Sequence, residues 1–474
     1  MNTVNMPRIA ASTYEQADCA IGVVHLGYGA FHRAHQAVYI DSYMDQSGDL
    51  NWGIAAVNLR AAESATFAEH QADDKGYLLK SVAPNGEVAL ARVRSHVAFA
   101  DWSAERTAAE GFLSLPSVKL VTITVTESGY YTDPDGALDL ADPVISAEIA
   151  GKIAGSQGTS VYAYLASALQ GRKEAIDAPV TICCCDNIRS NGKMLQRNFL
   201  AYLAARGLDD LRNWVAENAA FPCSMVDRIT PRATQELAQD LSQLTQEPVQ
   251  HPVMAEAFVQ WVLEDRFASD MPDLASVGVT VTPHVDPFEE TKIRVLNGGH
   301  TCLTYLAALH GIETFDQAMS VPDLFDHFWA YETTEVLPAL TLDLPFSKEA
   351  YLDSIAARFK NPAIADTVAR ICADGVAKFP IFIRPTLEGC LRQGTLPRHG
   401  IRSIASWYVF AQHVRAGKIA FDYAEPSWPL LVSILHTDTF IHSKQLWGDL
   451  PAHYPEFADA LRAAIKEMEQ SWPI

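Results

Sequence analysis

"IGVVHLGYGAFHRAHQ", residues 21 to 36, decides how the chain is read. A short apolar run, Ile21 to Leu26, is followed by Gly27 and Gly29 and then by residues of helical character. Strand, glycine turn and helix N-terminus together make an anion site, because backbone N–H groups and the helix dipole both favour a pyrophosphate there. The third glycine of the usual G-x-G-x-x-G pattern is missing, since His32 stands in its place. Position compensates: the turn closes the first clear strand, and a second strand, "WGIAAVNL" (52–59), follows after one crossover helix. Gly27, Gly29, Phe31 and Arg33 are the candidate dinucleotide contacts of this turn, with Arg33 expected in the first helical turn beside the phosphates.

Further apolar runs stand at "VKLVTITVT" (118–126) and "PVTICCCD" (179–186), separated by helical segments such as "SVYAYLASALQG". This alternation predicts an α/β, Rossmann-like, doubly wound and mostly parallel sheet. Ligands of such sheets collect at the carboxyl ends of the strands, which brings "TESGYY" (126–131), with Glu127, and "DNIRSNG" (186–192), with Asn187, to the nucleotide. Cofactor choice is set near the end of the second strand, where Asn58, Arg60 and Glu63 give a mixed signal. An arginine accepts a 2′-phosphate, whereas a glutamate reaches the ribose hydroxyls of NAD, so NAD is expected and NADP is possible.

The whole chain sets bounds on these expectations. Its 474 residues exceed one typical core and predict two domains. A formal charge of −21 disfavours nucleic acid and anionic membranes as partners. Neither a basic segment followed by an apolar run at the start nor any run of about 18 apolar residues is present, so a cytoplasmic protein is expected, as a monomer or weak homo-oligomer. The eight cysteines, three of them consecutive at 183–185, lack paired C-x-x-C spacing, and no cysteine–histidine cluster suggests zinc.

After about residue 283 long helical segments dominate, which divides the chain into a dinucleotide-binding domain, 1–283, and a mainly α-helical domain, 284–474. The second opens on "VDPFEETKIRVLNGGH" (285–300), where Asp286, Pro287 and Glu289 mark a helix start. At about 100° per residue, Lys292, His300 and Asn297 share one side of a regular helix, with Glu289 among them. Gly299 falls on the same side, where the missing side chain leaves room for a ligand.

Seven ordered blocks, "GYGAFHRAHQ", "TESGYY", "CDNIRSNG", "MVDRITP", "FVQWVLEDRF", "PFEETKIRVLNGGH" and "RICADGVAKFP", span nearly the full length, and through them the chain resembles the polyol-specific long-chain dehydrogenase/reductase family. The resemblance implies that Lys292 is the general base, that Asn297 and Asn187 polarise the reacting oxygen, and that His300 orients the substrate. It places Val226, Asp227, Arg370 and Lys378 at substrate-contacting positions and Glu289 at an acid that gates proton exit. A linear polyol of the mannitol or arabinitol type, oxidised to its ketose, is the implied substrate; a hexuronate reductase acting on the D-mannonate type is the alternative. The chemistry is consistent, because oxidising a secondary alcohol needs a base for the hydroxyl proton and preorganised donors for the developing alkoxide. A lysine in that role must be held about two to three units below its ordinary value of about 10.4. No Tyr-x-x-x-Lys pair, the competing metal-free solution, occurs in the chain.

Overall fold

The computed structural model describes residues 9–71, 76–133, 136–151 and 160–473. The first eight residues of the opening stretch, read above for targeting signals, lie outside these. Two compact units are present, Met1–Val82 with Glu87–Asp286, and Ala83–Gly86 with Pro287–Ile474.

The first unit is built on six strands, β1 (Ile21–Leu26), β2 (Gly53–Asn58), β3 (His96–Asp101), β4 (Leu120–Ile123), β5 (Val180–Cys184) and β6 (Ala219–Ala220). Their order across the sheet is β3-β2-β1-β4-β5-β6, and every neighbouring pair is parallel. This is the doubly wound dinucleotide-binding order, whose switch point lies between β1 and β4. Both faces of the sheet are covered, which is why the strands read as unbroken apolar runs. Val24, Leu26 and Cys184 point into a core with Tyr162 and Leu165 of helix Val161–Ala175. Val23 and Cys183 point the other way, into a core with Ala37 and Ile40 of helix Gln36–Ser47. Apart from Cys19 the cysteines are buried, and all are free thiols.

Arg172 fixes the amino edge of this sheet. Fully buried, its guanidinium donates to the carbonyls of Ala178 and Pro179 at 2.8 Å, just before β5, and to those of Leu113 at 2.8 Å and Val118 at 3.0 Å, before β4. Two smaller sheets complete the unit. One orders Ile9–Ala11, Val88–Val93, Tyr77–Val82 and Val253–Glu256; the other orders Ser224–Asp227, Gln260–Glu264 and Thr280–Thr282, with Val226 opposite Trp261 and Asp227 opposite Gln260. These short strands were absent from the sequence-based expectation, because three to six half-buried residues leave too little period to read.

The second unit is helical. Helix Gly298–Leu309 is buried almost all round, as its apolar composition requires, and packs against helices Pro322–Tyr331, Val368–Cys372 and Arg398–Arg415. Helix Arg398–Arg415 in turn packs along Pro455–Ser471. Among the described residues no helix is long and apolar enough to cross a membrane. Because Arg172 satisfies four carbonyls at this edge, Arg172→Met is expected to destabilise the first unit by about 3–5 kcal/mol, seen as a lower urea midpoint by tryptophan fluorescence.

Candidate active site

The glycine turn after β1 fits a pyrophosphate. Gly27 has φ +96°, and a Cβ there would lie 2.0 Å from the Thr124 carbonyl oxygen, so no other residue serves. Gly29 caps the next helix, and a Cβ on it would meet nothing within 4 Å, leaving open space at the helix N-terminus. The helix is not the single one expected: Ala30–Ala34 ends at His35 (φ −125°, ψ −92°), and a second begins at Gln36. His32 supplies the physical reason for the altered pattern. Its ring stacks on His25 of β1 at 3.2 Å between centroids, and its Nε2 lies 2.9 Å from His96 Nε2. An imidazole stack thus fills the gap between helix and sheet that the third glycine would have closed. Burial holds these rings neutral, His25 down to about 3 and His32 and His96 well below the ordinary value.

Arg33 is held by the protein itself. It is buried, donates to the His251 carbonyl oxygen at 3.0 Å and lies over the Tyr28 and Tyr77 rings, which satisfy a cation inside the unit. Phe31 stacks on His35 at 5.0 Å. At the end of β2, Asn58 folds its side chain back onto the main chain of Arg60, and the exposed Arg60 and Glu63 pair with each other at 3.3 Å.

The turns beyond β4 and β5 are strained and cross-tied. Thr126 has φ 65° and ψ 162°, a region that is essentially glycine's alone, and Tyr131 and Ser190 also have positive φ. Glu127, exposed, opens the short turn to Tyr130. Asp186, directly before Asn187, accepts from Val125 N at 2.9 Å, Thr126 N at 3.1 Å and the Tyr130 hydroxyl at 2.7 Å. Burial nevertheless pushes its carboxyl up to about 6. Asn191 donates to the Cys184, Asp186 and Ser224 carbonyls and accepts from Ser224 N, tying β5 to the strand that carries Val226 and Asp227, both buried. Sequence inspection missed Asp186 and Asn191 as tethers, although both stand inside the "CDNIRSNG" block.

In the second unit, helix Asp286–Thr291, with Glu289, runs into a π-helical turn, Lys292–Asn297, before α-helix resumes at Gly298. The Gly298 amide donates to the Ile293 carbonyl five residues back. This corrects the regular helix expected from the sequence: in an α-helix Asn297 would stand about 140° round from Lys292, whereas the wider π turn, with its i→i+5 bonds, rotates less per residue and brings Asn297 round toward the Lys292 side. Two further π turns, Glu332–Val336 and Phe379–Ile383, pack against this one. Such turns are rare and concentrate at functional sites. Lys292 and Glu289 are both buried.

The glycine pair has a different use from the one expected. A Cβ on Gly299 would lie 2.8 Å from both Glu332 Oε1 and Phe328, and one on Gly298 would lie 3.2 Å from the Phe382 carbonyl. The space is filled by neighbouring helices, so the glycines permit close packing where ligand room was expected. Arg294, inside the π turn, is held by Thr386 at 2.8 Å and Glu290 at 3.1 Å. Burial pushes the nearby Glu332 carboxyl well above the usual carboxylate range, opposed by Arg294.

His300 stacks on Phe359 at 4.0 Å and meets the edge of Phe315 at 4.6 Å. Burial, reinforced by the charges of Arg370, Lys378 and Arg358, holds its ring well below the ordinary value, hence neutral. Three predicted residues therefore gather: His300, Arg370 and Lys378. Asp366 grips Arg370 through both oxygens, with Nε donating at 2.6 Å, and Lys378 donates to the Ile371 carbonyl at 2.9 Å. Burial, then Arg370, lowers the Lys378 ammonium. Arg384, a further cation in "FPIFIRPT", begins a helix and contacts Glu388 at 3.5 Å.

Comparison with known proteins matches residues 21–276 to the mannitol dehydrogenase Rossmann domain and 284–469 to the mannitol dehydrogenase C-terminal domain. The chain belongs to the mannitol dehydrogenase family. It is 34% identical to D-arabinitol 4-dehydrogenase of Ralstonia nicotianae, over 94% of this chain and 95% of that one. Identity to D-mannonate oxidoreductase of Escherichia coli is also 34%, over 89% and 86%. The structure of Pseudomonas fluorescens mannitol 2-dehydrogenase in ternary complex with NAD and D-mannitol superposes with a TM-score of 0.86 at 29% identity, covering 98% of this chain and 95% of that one. Members of the family use NAD or NADP, and the chain is an oxidoreductase of this polyol-metabolising group.

Two outcomes follow for this family member. Since the folded pKa of His300 is depressed, the stability tied to its neutral ring is fully present above about 6.5 and is lost as pH falls below that. Its ring-proton resonances are expected not to titrate between pH 9 and 5.5; a midpoint near 6.5 would contradict the burial. Gly299→Ala, which drives a methyl group into Phe328 and Glu332, is expected to cost about 1–3 kcal/mol, measured as a lower thermal midpoint.

Proposed function

We propose that the protein is an NAD(P)-dependent polyol 2-dehydrogenase, interconverting a linear polyol of the mannitol or arabinitol type and its ketose. The observation that carries this is the π turn that brings Asn297 round toward the Lys292 side, three residues before a neutral His300. Lys292 takes the hydroxyl proton of the substrate as it becomes a carbonyl. Asn297 and Asn187 supply amide donors to the oxygen, so developing negative charge meets preorganised dipoles. His300, fixed by Phe359 and Phe315, donates or accepts a hydrogen bond without adding charge. Glu289, three residues before Lys292, is the acid assigned to proton exit, and Val226 and Asp227 contribute to the substrate pocket. The cofactor, when bound, accepts the hydride; Gly27, Gly29, Phe31, Asn58, Arg60, Glu63 and Glu127 are the residues proposed to hold it, with NAD preferred. Arg33 stays in this set only as a support beneath the turn.

The state of the cations favours a polyol over a hexuronate. The guanidinium partners that a substrate carboxylate would use are engaged, since Arg370 is gripped by Asp366 and Arg384 faces Glu388, and the Lys378 ammonium, which donates to the Ile371 carbonyl, serves a hydroxyl as well as a carboxylate. Hydroxyl groups, in contrast, accept hydrogen bonds from these side chains without needing a counter-ion.

Two measurements test the proposal. Lys292→Ala is expected to lose 10²–10⁴-fold in turnover, the range for removal of a general base, while cofactor affinity changes little; more than about a tenth of wild-type turnover would sink the assignment. Polyol oxidation by the wild type should rise with pH through one ionisation, and a flat profile between about pH 6 and 10 would contradict a lysine base. In a substrate screen with both cofactors, mannitol or arabinitol is expected to show a higher kcat/KM than D-mannonate. The reverse order, with Arg370→Ala selectively removing D-mannonate activity, would replace the polyol with the hexuronate.

A further inference from the structure

We infer that Asp186 is a positioning residue that holds two site-bearing turns in register, the Thr126–Tyr130 turn after β4 and the Asn187 turn after β5. This rests on the dehydrogenase proposal, because it assigns the tether its purpose through Asn187 and Glu127.

The geometry is specific to a carboxylate. Oδ2 accepts both Val125 N and the Tyr130 hydroxyl, while Oδ1 accepts Thr126 N. Three donors converge on two oxygens, and none of the three comes from Asp186's own strand. Parallel strands β4 and β5 pair from Leu120↔Thr181 to Ile123↔Cys184, and Cys185 N still reaches the Ile123 carbonyl. Beyond that point the ladder between them is replaced by the side chain of Asp186. It continues the sheet's hydrogen bonding for two residues more, to Val125 and Thr126.

What the tether holds is a backbone that would not hold itself. Thr126 is β-branched, yet sits at φ 65° and ψ 162°, a conformation such a residue keeps only when its surroundings impose it. Glu127 follows directly, and its carboxylate is close enough to raise the pKa of Asp186. On the other side, the residue bound to Asp186 through its peptide is Asn187. A shift of the Asp186 side chain therefore moves the amide donor and the cofactor-side turn together. The carboxylate accepts from the Tyr130 hydroxyl and from two backbone amides, with the Cys184 thiol hydrogen-bonded to the same hydroxyl and Glu127 raising its pKa. Directed hydrogen bonds do the holding.

Asp186→Asn keeps shape but turns one acceptor into an NH2 group, which must face Thr126 N or the Val125–Tyr130 pair. Turnover per site, with sites counted by NADH fluorescence titration on the full-length protein, is expected to fall about 10- to 100-fold, less than the roughly 10²–10³-fold for outright removal of an oxyanion donor because Asn187 is displaced and not lost. KM for the polyol should stay within about twofold, since the substrate-contacting side chains are untouched. Tyr130→Phe, which leaves both backbone bonds, should cost about three- to tenfold in kcat with the same unchanged KM. A folded Asp186→Asn protein that keeps more than half of wild-type kcat overturns the proposal. If that variant does not fold, wild-type kcat in Tyr130→Phe overturns it instead. Wild-type protein that binds NADH but oxidises no polyol or aldonate defeats the dehydrogenase assignment and not the tether, which then stands or falls on whether Asp186→Asn weakens NADH binding at least tenfold.

Discussion

A parallel sheet covered on both faces has no water to satisfy its backbone, so every strand must end where side chains can take over from the ladder. That constraint shapes the first unit. At the amino edge Arg172 spends four donor contacts on carbonyls ahead of β4 and β5. Toward the carboxyl edge Asn58, Asp186 and Asn191 fold back on the main chain. The turns that a dinucleotide enzyme uses are the ones that the sheet must in any case secure, and fixing the strand ends also fixes the chemistry-bearing residues beside them.

The second unit meets a different limit, which is room. Gly298 and Gly299 let a helix press against Phe328, Glu332 and the Phe382 carbonyl, and three π turns lie where this crowding is greatest. A widened turn accommodates an extra residue without breaking the helix. Here the widened turn brings Asn297 round toward the Lys292 side. The buried Glu332 carboxyl lies in a π turn packed against this one, its pKa raised by burial, while Arg294 pairs with Glu290.

Strands β1, β2, β4 and β5 were legible because burial on both faces leaves continuous apolar runs. β3, with a less uniform pattern, and the two-residue β6 were not. Residue types at the candidate site were legible as ordered blocks, while several of their placements were not. Nothing in "KIRVLNGGH" distinguishes a π turn from an α turn, since the choice is made by helices that arrive later in the chain. Arg33 was read from its place in the helix, but Tyr28 and Tyr77, one of them distant in sequence, decide where its guanidinium goes. Gly299 was read as vacant space, and only the folded chain shows which neighbours occupy it.

The exposed pair between Arg60 and Glu63 bears on how firmly this chain can distinguish its cofactors. On the proposed cofactor assignment each residue favours a different nucleotide, and each is the other's counter-ion. An exposed pair of this kind is worth about 0.2–1 kcal/mol. Drawing Arg60 away toward a 2′-phosphate therefore forfeits a factor of about five at most. Selectivity drawn from this corner of the protein is shallow, and lineages carrying such a pair could move between the two cofactor pools by a single charge change without rebuilding the fold around it.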